Sequence, residues 1–254
     1  MTKLIRDSWL IFGSVLRISL RNPAWVFIGL FQPTCYMLLF APLLKNMTGT
    51  PGFPSGGAYN IFTPGLMIMM SLYGTGFAGF GVIDLLREGV IERWRVTPVS
   101  RLAIMIGSIA VNLVNLLVQT GVLVGIGALL GFHPHVDGLV FLVVLILLSG
   151  VTMAACSYAL ALALKDESSL AAAVNLFVLP LMLLSGITLP LTLAPEIIRN
   201  IAKLNPFAYA VDAARALVVG HMNIVAIPQA FVIFALLSAL ALAWATNSIR
   251  QAAM

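Results

Sequence analysis

Charge is what this sequence has least of. Only 9% of its 254 residues are Asp, Glu, Lys or Arg, while 61% are hydrophobic. A soluble domain carries roughly 25% charged residues, and a water-facing surface cannot be built from so few. The bilayer is the natural solvent for such a chain. Cysteine is scarce as well. Cys35 and Cys156 both sit in apolar runs and give no disulfide framework. The sequence has no Gly-Lys dipeptide, so it holds no phosphate-cradling G-x-x-x-x-G-K-[ST] loop. It also lacks H-E-x-x-H, which excludes a zinc-peptidase site of that kind. The opening Met1-Thr2-Lys3-Leu4 does not read as a cleavable signal, because the first long apolar run begins only near Ala24.

Apolar runs of about 20 residues, the length a span needs, predict six membrane helices. They cover about 24–44, 61–83, 102–130, 139–164, 169–189 and 229–247. The fold class is therefore an all-α polytopic membrane protein, read as one domain over 1–254 with no soluble module. None of the six runs has Asp, Glu, Lys or Arg at its middle. A charge at that depth costs roughly 2.5–3.5 kcal/mol and usually marks ion or proton handling. Its absence argues against a proton-driven carrier or a charged pore.

The net charge of +5 does not signal nucleic acid, since no basic run interleaves with aromatics on a soluble module. The cations read instead as topology signals. Lys3, Arg6, Arg17, Arg21, Arg87, Arg93, Arg95, Arg101, Lys165 and Arg250 fall on one side. Lys45, Arg199, Lys203 and Arg215 fall on the other. Ten against four places both termini in the cytoplasm.

Three segments outside the apolar runs hold most of the pattern. Residues 1–22 form an amphipathic helix suited to the membrane surface. Lys3, Arg6, Asp7, Ser14, Arg17 and Arg21 project to one side, and Ile5, Trp9, Phe12, Leu16 and Leu20 to the other. Asn22-Pro23 then fits a cap and a first-turn proline. The exterior segment 190–228 predicts two short helices, about 195–203 and 206–219, the second started by Asn205-Pro206 and ended by Gly220. They either dip into the outer leaflet under cover of protein or rest on the surface.

The third segment, 84–98, has the densest charge. Asp84, Glu88, Glu92 and Arg95 share one helical face, and Ile83, Leu86, Val90 and Trp94 the other. Thr97-Pro98 ends the element and caps the next. A loop that only enforces topology needs Arg and Lys and gains nothing from ordered carboxylates. The acidic face beside basic flanks reads as a docking surface.

Polar groups inside the spans are mild. Asn112, Asn115 and Gln119 share one face of the third span and either line a substrate path or tie helices together. Tyr73, Phe77 and Phe80, among Gly74, Gly76, Gly79 and Gly81, form an adaptable cavity wall or ordinary packing. Asn175 in the fifth span joins this group as a candidate for the substrate path. Gly121 and Gly125 form a small-xxx-small pair, most simply a close helix contact. His133-Pro134-His135 with Asp137 is more simply an exterior turn than a metal site. Ser185 or Ser149 with His221 would suit an intramembrane hydrolase, but no motif supports the pairing.

The sequence resembles the ABC-2 class of ATP-binding-cassette exporter permeases. The first matching run is Arg87-Glu88-Gly89-Val90-Ile91-Glu92-Arg93-Trp94-Arg95-Val96-Thr97-Pro98-Val99-Ser100-Arg101, similar to the family's first cytoplasmic loop. The second is Leu204-Asn205-Pro206-Phe207-Ala208-Tyr209-Ala210-Val211-Asp212-Ala213-Ala214-Arg215. It is similar to N-P-[FL]-x-Y-x-x-[DE]-x-x-R in the daunorubicin-resistance and nodulation-type branch. The resemblance implies the ABC-2, or type V exporter, fold in a bacterial plasma membrane. It implies that 84–98 is a coupling helix seated on a separate ATPase, with Asp84, Arg87, Glu88, Glu92, Arg93, Arg95, Thr97 and Pro98 as candidate contacts. Trp94 departs from the family's smaller aliphatic and bears on which ATPase fits. The resemblance also implies two ATPase subunits and a second permease chain, identical or different. ATP and Mg would be held by the ATPase, with no cofactor on this chain. The substrate would be a small lipophilic or amphipathic molecule, such as a drug, a lipid or a lipid-linked glycan. The rival transport reading is a secondary transporter or channel that ignores ATP, and a non-transporting scaffold is the structural alternative.

Overall fold

The computed structural model describes residues 2–21, 24–45, 57–87, 101–188, 191–221 and 224–251. All regular structure among them is helical. The elements are α1 (Thr2–Arg21), α2 (Ala24–Lys45), α3 (Ala58–Gly76), α4 (Phe80–Arg87), α5 (Arg101–Leu130), α6 (Val136–Leu164), α7 (Glu167–Leu183), α8 (Glu196–Ala202), α9 (Pro206–Val219) and α10 (Ala226–Gln251). A 3-10 turn, Leu191–Leu193, precedes α8. The Asn22-Pro23 boundary lies outside the described residues.

Among the described residues, four stretches are long and apolar enough to cross a membrane: Ala58–Asp84, Leu102–Leu130, Val136–Leu164 and Ala226–Ile249. The expected first span is met by α2, Ala24–Lys45, and the fifth by a shorter apolar helix, Glu167–Leu183. A helix the length of α7 reaches only about 25 Å, less than the roughly 30 Å hydrocarbon core. It stops early because the chain turns after Leu184 and opens at Gly186, whose φ is 76°.

Helix α3 is the centre of the bundle. Every residue from Ile61 to Leu72 is buried, and α2, α5, α6 and α9 all pack on it. The expected span over 61–83 is met by the stretch Ala58–Asp84, but its helix is interrupted. After Gly76 the chain turns through Phe77, Ala78 and Gly79 before α4 begins. No proline sits at the break. It is held instead by α6, where the Ser157 hydroxyl accepts from the Gly79 N–H at 2.9 Å. A Cβ on Gly79 would stand 2.5 Å from the Ser157 carbonyl oxygen.

Buried hydroxyls stitch the helices together, as expected where apolar surface gives no drive for association. Ser149 of α6 donates to Ser71 of α3 at 2.9 Å, and Thr152 of α6 meets Ser238 of α10 at 2.8 Å. Ser185 donates to the Met182 carbonyl at 2.6 Å. Neither serine of the hydrolase reading pairs with His221.

Two expectations about faces change. On α1 the outward apolar stripe is present, with Ile5, Trp9 and Leu20 exposed. A third face, however, packs along the first half of α5. A Cβ on Gly107 would lie 3.0 Å from the Ser8 carbonyl, and Ser19 meets the Asn115 amide at 3.2 Å. Asp7, expected on the watery side, is buried at the margin of this contact, 3.9 Å from Arg6. The small-xxx-small pair on α5 faces outward, with nothing within 4 Å of a Cβ on Gly121 or Gly125. The closest glycine-mediated helix contact is instead at Gly138, where a Cβ would overlap the Leu217 carbonyl oxygen of α9.

Candidate functional site

The residues of interest gather at the two ends of α7. At its amino end the chain leaves α6 through Lys165, in a left-handed conformation with φ 55°. Asp166 then caps α7, accepting the Ser169 N–H at 2.8 Å and the Ser168 hydroxyl. Those contacts, the Ser168 hydroxyl foremost, with Arg87 adding a smaller share, push the Asp166 carboxyl down to about 2. Arg87, the last residue of α4, donates to Glu167 in a close ion pair. Arg87 thus faces two successive carboxylates, and it joins the start of the 84–98 segment to the head of α7. Of the expected coupling set, Asp84 is exposed on α4. Glu88, Glu92, Arg93, Arg95, Thr97 and Pro98 lie outside the described residues. Sequence reasoning missed Asp166 and Glu167, although an Asp three residues before a Ser at the head of an apolar run is a cap signal.

The carboxyl end of α7 is held by the second motif. Asn205 caps α9 as its position before Pro206 predicts, its side chain accepting the Phe207 N–H at 2.9 Å. The same amide donates to the Leu181 carbonyl near the end of α7 at 2.7 Å. Arg215 is buried, with 9% of its surface exposed. Its Nε donates to the Ile61 carbonyl of α3 at 3.0 Å, and a terminal nitrogen donates to the Gly186 carbonyl at 2.6 Å. At Gly186, just past the carboxyl terminus of α7, a cation has favourable electrostatics. Its ion-pair partner Asp212 is 4.0 Å away and mostly exposed. Phe207 packs edge-on against Phe234 of α10, and the Tyr209 hydroxyl donates to the Lys203 carbonyl at 3.0 Å. The motif therefore builds a buried junction between α9, α3 and the end of α7. Ten of the residues of α9, among them Phe207 and Arg215, are buried, so α9 lies inside the bundle and not upon it. Ala208, Ala210, Ala213, Ala214 and Ala216 were the sequence signal: a helix small and apolar on nearly all sides is a buried one.

The candidate path residues do not form one group. Asn112 donates to the Ser108 carbonyl at 3.0 Å, and Asn115 is bonded to Ser19. Gln119 is buried where Gly29 of α2 and Gly74 of α3 leave room for its amide. Asn115 and Gln119 thus tie α5 to its neighbours, whereas Asn112 bonds back to its own helix. Tyr73, Phe77 and Phe80 are half-buried around the α3–α4 break, the two phenylalanine rings stacked at 5.4 Å. Asn175 is exposed on α7 and donates back to the Ala171 carbonyl at 2.9 Å.

The structure is thus a multi-pass helical bundle of a membrane protein, with an ion pair at one end of a short helix and a buried junction at the other. The chain belongs to the ABC-2 type transporter family, whose pattern matches residues 8–219. It is 29% identical over 220 residues to a protein named transport permease ycf38 of Pyropia yezoensis, covering 85% of this chain and 72% of that one. Proteins of the same name in Porphyra purpurea and Cyanophora paradoxa are 30% identical over 200 residues and 26% over 201. The alignments cover 77% and 78% of this chain and 68% and 69% of those proteins. Such permeases are transport components without catalytic chemistry of their own, and they work with ATPase partners.

Proposed function

We propose that this chain is the membrane-spanning subunit of an exporter driven by ATP hydrolysed on separate subunits. Two ATPase subunits and a second permease chain complete the unit, with both termini on the ATPase side of a bacterial plasma membrane. The supporting observation is the charge pattern of 84–98, whose first residues, Asp84 to Arg87, end α4 just after the helix break beside the core. ATP-driven closure of the ATPase subunits pushes on that segment, and the push re-angles α3 and its neighbours. The half-buried aromatics around the break and the mild polarity of the spans favour a lipophilic or amphipathic cargo such as a drug, a lipid or a lipid-linked glycan. The test is co-purification with an ATPase and ATP-dependent export from membrane vesicles. Reversing charge at Glu88 and Glu92 is expected to abolish assembly or export. If both survive the double reversal, the coupling role is wrong.

A further inference from the structure

The joint between α3 and α4 separates two different surroundings. Before it, every residue of α3 from Ile61 to Leu72 is buried, and α2, α5, α6, α7 and α9 pack on that helix. After it, α4 packs chiefly on α6 and α7. Val82 and Ile83 are buried there, whereas Gly81 and Asp84 are exposed, and a Cβ on Gly81 would meet nothing within 4 Å. Backbone groups freed inside a bilayer must find partners within the protein. At the joint the Ala78 N–H donates to the Thr75 carbonyl and the Phe80 N–H to the Phe77 carbonyl, each at 3.1 Å. The Gly79 N–H takes the Ser157 hydroxyl of α6 instead. That contact is between small groups, since a Cβ on Gly79 would also stand 2.9 Å from the Ala161 Cβ. Gly76 and Gly79, one at each end of the turn, let backbone dihedrals change there at little steric cost. Phe77 and Phe80 straddle the turn with their rings stacked at 5.4 Å. A change of angle between α3 and α4 must part them.

We propose that Gly76 to Gly79 is a hinge on which α4 swings against a fixed α3, and that Ser157 is the positioning residue that pins it. One hydrogen bond at a point of contact holds a pivot in place without resisting rotation about it. The stacked rings act as a catch that favours one angle. The inference rests on the ATP-driven reading above and places its re-angling at a single joint. It also gives the half-buried Phe77 and Phe80 a part, because the swing reshapes the wall they form.

The test uses the complex with its co-purified ATPase in liposomes, with Cys35 and Cys156 replaced by Ala. Two pairs of spin labels follow the central span against α6. Gly81→Cys with Leu164→Cys reads α4, and Tyr59→Cys with Val136→Cys reads the far end of α3; Leu164 and Val136 are exposed. ATP is expected to shift the first distance by about 2 Å or more, the size of a helix shift in a switching protein, and to leave the second unchanged. Ser157→Ala strips the Gly79 N–H of its acceptor, and Gly79→Ala presses a Cβ against Ser157. Each should shift or broaden the first distance before ATP is added. Ser149→Ala is the control, because it removes a buried hydroxyl that bonds α3 at Ser71, away from the joint. Its first distance should match the parent's. If ATP drives export yet moves both pairs alike, or neither, the hinge is wrong and the ATP-driven reading stands. Resting distances in Ser157→Ala and Gly79→Ala equal to the parent's overturn the pin. Should either variant fail to assemble, the two label pairs in the parent still decide. If no ATPase binds, or export ignores ATP, both readings fall.

Discussion

Arg215 carries the largest concentration of polar contacts in the buried junction, and its value lies in shape as much as charge. The guanidinium reaches two carbonyls on separate elements, which a lysine ammonium on a flexible stem cannot do in the same geometry. Arg215→Lys is expected to destabilise the detergent-solubilised protein by about 1.5–3 kcal/mol, the worth of one charged hydrogen bond. Asp212→Asn should cost no more than about 1 kcal/mol, since that partner is distant and exposed. Thermal unfolding of the two variants checks the ranking. Asp166 makes a prediction of a different kind. Its folded value of about 2 lies below the ordinary 3.8. The cap's stabilisation is therefore fully present above 3.8 and is lost as pH falls through about 2. Asp166→Asn keeps a capping oxygen but does not titrate. The stability difference between the two proteins should be flat at neutral pH and change only in strong acid, as followed by unfolding across a pH series. Asn205 was legible in the sequence because a cap before a proline is a local signal. The burial of Asp7 and Arg215 was not, because burial depends on which helix arrives alongside.

At the level of elements, the boundaries of the long helices followed from apolar length, and α8 and α9 from proline and glycine punctuation. The break between α3 and α4 escaped notice because no proline marks it. It is imposed by α6, through Ser157 and the close approach at Gly79. The faces of the glycines were unreadable for the same reason. Gly79 and Gly138 touch neighbouring backbones, whereas Gly121 and Gly125 touch nothing. Gly138→Ala should therefore destabilise by about 1–3 kcal/mol through overpacking. Gly121→Ala should instead gain up to about 1 kcal/mol from helix propensity. Opposite shifts in thermal midpoint are the expected result. Equal shifts would mean the glycine contacts are not as described.

On the scale of the whole molecule, composition was enough to name the solvent, and two short motifs were enough to place the chain among ABC-2 transporters. What the chain carries, and how many copies assemble, depends on surfaces that meet other molecules, and local pattern does not encode them. The topology is open to a direct check. Single cysteines at Ser14 of α1 and Asp84 of α4 should label from the ATPase side in sealed vesicles, and one at Ile197 of α8 only from the opposite side. Beyond topology, the buried position of α9 dictates an order of biogenesis. Its receptor is made of α3, α6 and the end of α7, all synthesised before it, and α10, which packs against Phe207, is synthesised after. A nascent chain stopped before Asn205 would expose an unfilled slot at Gly138 and would leave the Gly186 carbonyl without Arg215. A membrane protease or chaperone that surveys such slots would meet it chiefly in the interval before α9 docks.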